Sequence, residues 1–163
     1  MQIFCLKTSL ASAILALSGA QVSAQNQAPN QAQNQEVIGY IKTVDANANV
    51  VLGGQATPAK LGMALQRGML LKTGTPGGMG VIFKDSTTLS IGPDTELWVD
   101  EYLFTPGKGE LKLGASLAKG SLYYISGVIA KLKPESVTVK TPTGMIGVRG
   151  TQFLAKVDPK DTE

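Results

Sequence analysis

The chain has 163 residues, with 15 Lys and Arg against 12 Asp and Glu, one Cys and no His. That length suits one domain around one core. The lysines are spread singly and Arg67 and Arg149 are the only arginines, which argues against a nucleic-acid partner. A lone Cys at position 5 and the absence of His rule out internal disulfides, His-bound zinc and Ser-His-Asp catalysis, so no enzyme, metal or cofactor is expected.

The first element reads as a secretory signal over residues 1–24. Lys7 is its positive region, and Leu10 to Ala20 is an apolar run too short for the roughly 20 residues that span a bilayer. Val22-Ser23-Ala24 supplies small residues for cleavage before Gln25; an uncleaved short anchor is the alternative. Cleavage places the remainder in the periplasm or outside the cell, with no transmembrane segment left. Residues 25–36 are almost wholly Gln, Asn, Ala and Pro, which cannot bury enough apolar surface to order themselves, and read as a disordered linker.

The folded region is expected over residues 37–157. Val37 to Val44 has strand composition, Asn47-Ala48-Asn49 is a turn, and Val50-Val51-Leu52 returns, which predicts a hairpin ended by Gly53-Gly54. A short helix over Lys60 to Gln66 is a weaker reading, because Gly62 and Gly68 bracket it. From Val81 the apolar residues alternate. Val81 and Phe83, then Thr87, Leu89 and Ile91, then Thr95, Leu97 and Val99 form inward rows. Glu96, Trp98 and Asp100 then point outward. Thr105 to Gly109 is a turn, Leu111 and Leu113 open another strand, and Leu122 to Ile125 reads as a fully covered strand. Val137 and Val139 follow Pro134, and Phe153, Ala155 and Val157 form the last inward row before a polar tail over 158–163.

These runs predict an all-β domain rich in Gly turns. Leu65-x-x-Gly68-x-Leu70 is echoed by Leu117-x-x-Gly120-x-Leu122, which suggests a β-solenoid with Gly at its corners. A β-sandwich or barrel gives such echoes too and stands as the alternative.

Several stretches resemble the FecR domain family. They are Leu65-Gln66-Arg67-Gly68 through Lys72-Thr73-Gly74, Val81 to Ser86, Leu89 to Pro93, Leu111 to Gly120, and Thr141-Pro142 through Gly147-Val148-Arg149-Gly150-Thr151 to Phe153. The likeness runs from Ile38 to Val157. It implies a periplasmic, β-rich, solenoid-like domain. In the iron-uptake regulators of the family this domain belongs to a relay from an outer-membrane receptor to a cytoplasmic sigma factor. This sequence looks like the short, exported, stand-alone type. It has Met69 where the family often has Asp. It also has Asp85-Ser86 where the family often has Asp-Gly-Ser, so a turn that used the glycine's positive φ is expected to be built differently.

Trp98, with Glu96 and Asp100 beside it, is the candidate ligand site. An exposed Trp between acids can stack on a sugar whose hydroxyls the acids bind; the alternative is that Trp98 covers a neighbouring segment. Arg149 is read as structural, tying loop carbonyls or an acid such as Asp85; an anion clamp is the alternative. Gly144, Gly147 and Gly150 are read as close packing at a β corner. A pair of glycosidase carboxylates and a calcium site at Asp100 and Glu101 have no supporting spacing. The expected role is a non-catalytic, exported interaction or scaffold module for an envelope protein or polymer. The alternatives are a carbohydrate or peptidoglycan binder centred on Trp98 and a soluble regulator in an envelope signalling relay.

Overall fold

A computed structural model of the chain describes residues 36–158; the expected signal, its cleavage site and the linker up to residue 35 lie outside the described residues. The strands are β1 (Gly39–Val44), β2 (Ala48–Leu52), β3 (Gln55–Pro58), β4 (Ala64–Leu65), β5 (Leu70–Thr73), β6 (Met79–Phe83), β7 (Thr88–Ile91), β8 (Glu96–Thr105) and β9 (Glu110–Ile125). A short helix α1 (Val128–Leu132) precedes β10 (Val137–Thr141), β11 (Gly144–Gly147) and β12 (Gln152–Val157).

The strands join in one sheet in the order β3-β2-β5-β8-β9-β7-β6-β1-β4; β10 and β12 also pair with β9, and β11 with β10. The fold is all-β, as the alternation implies. The sheet curls into an open half-barrel, and among the described residues every pairing is antiparallel except β9 with β10. That pattern fits the barrel-or-sandwich alternative; the parallel rungs that define a solenoid are limited here to one pair. Both glycines of the echo do have positive φ, +78° at Gly68 and +90° at Gly120. They turn corners within an antiparallel sheet.

β9 organises the curl. Its first part pairs with β8 and β10, and from Gly120 onward it pairs with β7 and β12. A strand of 16 residues cannot pass smoothly from one limb to the other. Gly120 supplies the kink, with a backbone that side chains rarely adopt and room only for a hydrogen against Thr95. The Thr95 hydroxyl secures the corner, accepting from the Ser121 N–H at 3.0 Å and donating to the Pro93 carbonyl at 3.1 Å.

The inward rows read from the sequence fill the core. Val81, Phe83, Thr87, Leu89, Ile91, Thr95, Leu97 and Val99 are all buried. Across β2, β5, β8 and β9 the partners Val50, Leu71, Leu97 and Leu117 form one inner row. Each such side chain contributes about 1.5–3 kcal/mol through burial.

Three local expectations are corrected. β1 and β2 do not form a hairpin: β1 pairs with β4 and β6, β2 with β3 and β5. Asn47, at φ 59°, turns the chain between the two limbs. The true hairpin is β2–β3, whose two loop residues Gly53 and Gly54 have φ of 57° and 83°, the pairing that a tight primed turn requires. Lys60 to Gln66 forms a turn and β4, not a helix. Leu122 to Ile125 is covered on one face only: Leu122 and Tyr124 are buried, while Tyr123 and Ile125 are 37% and 38% exposed.

The turn at Asp85-Ser86 is also not rebuilt. Ser86 itself takes φ 67°, so the positive φ is kept without a glycine. A side chain there costs about 1–2 kcal/mol, partly offset by the greater chain entropy of glycine when unfolded. Ser86→Gly is therefore expected to stabilise the domain by about 0.5–1 kcal/mol, read as a higher urea midpoint at constant slope. A lower midpoint would mean that the Ser86 side chain makes a contact worth more than the backbone strain.

Tyr124 is fully buried and stacks on Phe153, with ring centroids 4.9 Å apart. Burial raises its phenol pKa against the opposing influence of the Thr87 and Ser126 hydroxyls nearby, but among the described residues its hydroxyl makes no hydrogen bond of good geometry. Tyr124→Phe removes a desolvated hydroxyl and keeps the ring. The expected result is unchanged stability or a gain of up to about 1 kcal/mol in equilibrium unfolding.

Candidate functional site

The outer face of the sheet carries the sequence-derived candidates. Trp98 on β8 lies between the register partners Leu70 on β5 and Ser116 on β9, and the row continues to Val51 on β2 and Lys140 on β10. Buried Leu97 and Val99 flank Trp98 in the chain, so its half-buried ring sits on the solvent face. Val51, Leu70 and Trp98 thus form a short apolar stripe.

Charges rim the stripe, and most of them are paired. The Glu96 carboxylate meets the Lys72 ammonium at 2.8 Å and lies 3.9 Å from that of Lys119. Lys119 also donates to Asp94 at 2.6 Å, and that bond raises its pKa. A bulge between Val99 and Glu101 leaves Asp100 and Glu101 both outward before Tyr102 returns to the core. Asp100 accepts from the Ser116 hydroxyl at 2.5 Å. Glu101 pairs with Lys112 at 2.8 Å, and its pKa is lowered chiefly by that hydrogen bond. The structure therefore brings Trp98, Glu96 and Asp100 to one face, with both acids already holding protein partners. Asp100 also borders a cleft of about 280 Å³ with Glu36, Arg67 and Gly68.

Asp85 is elsewhere, in the interior. It is fully buried. Its Oδ1 accepts from the Thr87 N–H and the Tyr102 hydroxyl, each at 3.2 Å. Its Oδ2 accepts from the Thr87 hydroxyl at 2.7 Å and the Ile129 N–H at 3.2 Å. The Asp85 N–H in turn donates to the Tyr102 oxygen at 2.9 Å. Burial, followed by the nearby Asp85 charge, raises the Tyr102 pKa. One carboxylate thus ties the β6–β7 turn to β8 and to the start of α1. Thr73, Thr87 and Thr95 are buried hydroxyls serving similar joints. A Thr at an inward position of an alternating strand is the signal that marks such joints.

Arg149 is not the partner of Asp85, which corrects that expectation. It is exposed, and among the described residues it makes no ion pair and no side-chain hydrogen bond. The tight-corner reading of Gly147 and Gly150 is corrected too. Neither has a positive φ, and a Cβ built on Gly144, Gly147 or Gly150 meets nothing within 4 Å among the described residues. Gly147 and Arg149 line an open groove of about 750 Å³ beside β11.

Residues 69–163 match the family described as FecR protein. The chain belongs to the FecR family. No curated protein and no solved structure matches it. The FecR match starts later than the Ile38 expected from the motifs, at Met69, so β1 to β4 lie before it. Those strands nevertheless belong to the same sheet, since β1 pairs with β6 and β2 with β5.

Proposed function

We propose that this FecR-family chain is a non-catalytic interaction module, exported to the periplasm or beyond, that docks an envelope protein through the outer face centred on Trp98. The carrying observation is the half-buried Trp98 in an apolar row with Leu70 and Val51, rimmed by Lys72, Glu96, Lys119 and Asp100. An aromatic anchor in a small apolar centre with a polar rim is the composition of a protein interface. Family membership supports a regulatory setting, a soluble component of an envelope signalling relay. Carbohydrate or peptidoglycan binding at Trp98 is the second reading. The ring favours it, while the engagement of Glu96 and Asp100 with Lys72, Lys119 and Ser116 counts against it, because sugar hydroxyls would have to displace those partners.

Tryptophan emission separates the two, since Trp98 is the only Trp. Titration with peptidoglycan fragments and envelope polysaccharides is expected to leave the spectrum unchanged. A photocrosslinker at Ser116 is expected to trap a defined envelope protein, and Trp98→Ala to abolish the adduct. A saturable emission shift on glycan addition, lost in Asp100→Ala, would replace the protein reading with the glycan one.

A further inference from the structure

We infer that β11 accepts an extended, acidic segment of a partner protein as an added strand, with a carboxylate of that segment held by Arg149. The inference concerns the β11 edge of the same outer face, where the row from Trp98 runs through Ser116 and Lys140 to Met145, and it does not depend on what Trp98 itself binds.

The sheet path ends at β3, β4, β11 and β12. Three of these ends are protected against pairing in ways that sheets commonly use. β3 carries Pro58, β4 has only two residues, and β12 carries Lys156. β11 is Gly-Met-Ile-Gly, with neither charge nor proline.

Its backbone is also presented correctly. The Val148 N–H donates to the Val137 carbonyl, which sets the phase of the β10–β11 ladder. Groups alternate along an antiparallel pair, so Ile146 faces Val139, and Met145 and Gly147 direct their N–H and C=O away from β10. That is the array that an incoming strand needs.

The glycines supply the second observation. Gly144, Gly147 and Gly150 have ordinary φ and open space where a Cβ would sit, so the fold itself does not need glycine at any of them. Glycine in a strand marks a place where another backbone comes close. Gly147 lies between exposed Met145 and Arg149 along the groove, and Pro134 and Glu135 line it too.

Charge chooses the partner. Arg149 is exposed and has no carboxylate within ion-pair distance among the described residues, while Lys140 on the adjoining strand is exposed and its charge is shared with Glu101 on β8. Glu135 is the one acid among the described residues that line the groove, and it would repel a second acid placed beside it. An acidic residue on the added strand therefore belongs at the Arg149 end, where a guanidinium can grip it with two hydrogen bonds.

The test is a random-peptide display selection on the full chain, followed by binding and hydrogen-exchange measurements with the selected peptides. The expected peptides alternate in polarity and carry an acid. They should slow exchange of the Met145 and Gly147 amides, bind Arg149→Gln about tenfold more weakly, and lose binding to Gly147→Pro. The Gly147 N–H takes no part in the β10 ladder, so proline removes only the donor that the added strand needs, and an unchanged melting midpoint checks it. Trp98→Ala should leave this binding intact, so its outcome is separate from that of the Trp98 face. No selected peptide, peptides that leave those two amides unprotected, or equal binding to Gly147→Pro would each overturn the inference. So would a dimer in sedimentation that Gly147→Pro dissolves, because the edge would then belong to a second copy of this chain.

Discussion

Asp85→Ala is expected to destabilise the domain by about 3–5 kcal/mol, a large part of what a domain of this size commonly has. The substitution removes the acceptor for four donors at once: the Thr87 N–H and hydroxyl, the Tyr102 hydroxyl and the Ile129 N–H. All of these lie in the interior, where water cannot replace the carboxylate without entering the core. The loss should register in urea unfolding, and α1 should lose hydrogen-exchange protection first, since Asp85 receives both its Ile129 N–H and, through its carbonyl, the Val128 N–H. A double-mutant cycle with Tyr102→Phe isolates one arm and should give a coupling of about 1–3 kcal/mol. A cost below about 1 kcal/mol for Asp85→Ala would show that the network relaxes around the gap and that Asp85 is not the joint it resembles.

Gly120→Ala should be nearly as damaging, and the informative comparison is with Gly68→Ala. Both residues have positive φ, so each variant bears the left-handed cost of about 1–2 kcal/mol. At Gly68 an added Cβ meets nothing. At Gly120 it collides with the Thr95 side chain and backbone and with the Asp94 carbonyl, none of which is a flexible side-chain tip. Overpacking adds about 1–3 kcal/mol. The expected losses are therefore about 1–2 kcal/mol for Gly68→Ala and about 3–4 kcal/mol for Gly120→Ala. Because Gly120 kinks the strand that both limbs share, near-ultraviolet circular dichroism of Gly120→Ala should also change. Equal losses for the two variants would mean that the corner at Thr95 can yield, and that the curl of the sheet does not depend on a bare backbone at this point.

Much of the domain was legible in the sequence. The inward rows from Val81 to Val99 are visible in the sequence because side chains alternate along a strand whatever the strand pairs with. The outward placement of Trp98 followed from the same rule. Where the reading failed, the missing information was the identity of the neighbour. Val37–Val44 and Val50–Leu52 look like the arms of one hairpin, yet they join different limbs of the sheet. Leu122 to Ile125 is apolar throughout, yet one face of β9 is left open to solvent there.

The candidate sites divide in the same way. That Asp85, Arg149 and the late glycines matter can be suspected from residue type alone. Their partners are set at long range: Asp85 reaches Tyr102 and Ile129, while Arg149 reaches no acid among the described residues. By itself the sequence determined composition, the inward and outward faces of each strand, and the places where the backbone must turn, all of which follow from local sterics and the two-residue period. Only the tertiary structure decided which strands are neighbours, which carboxylates are occupied and which edge is left open. Strand pairing joins residues far apart in the chain, and its energy depends on partners that no local pattern names.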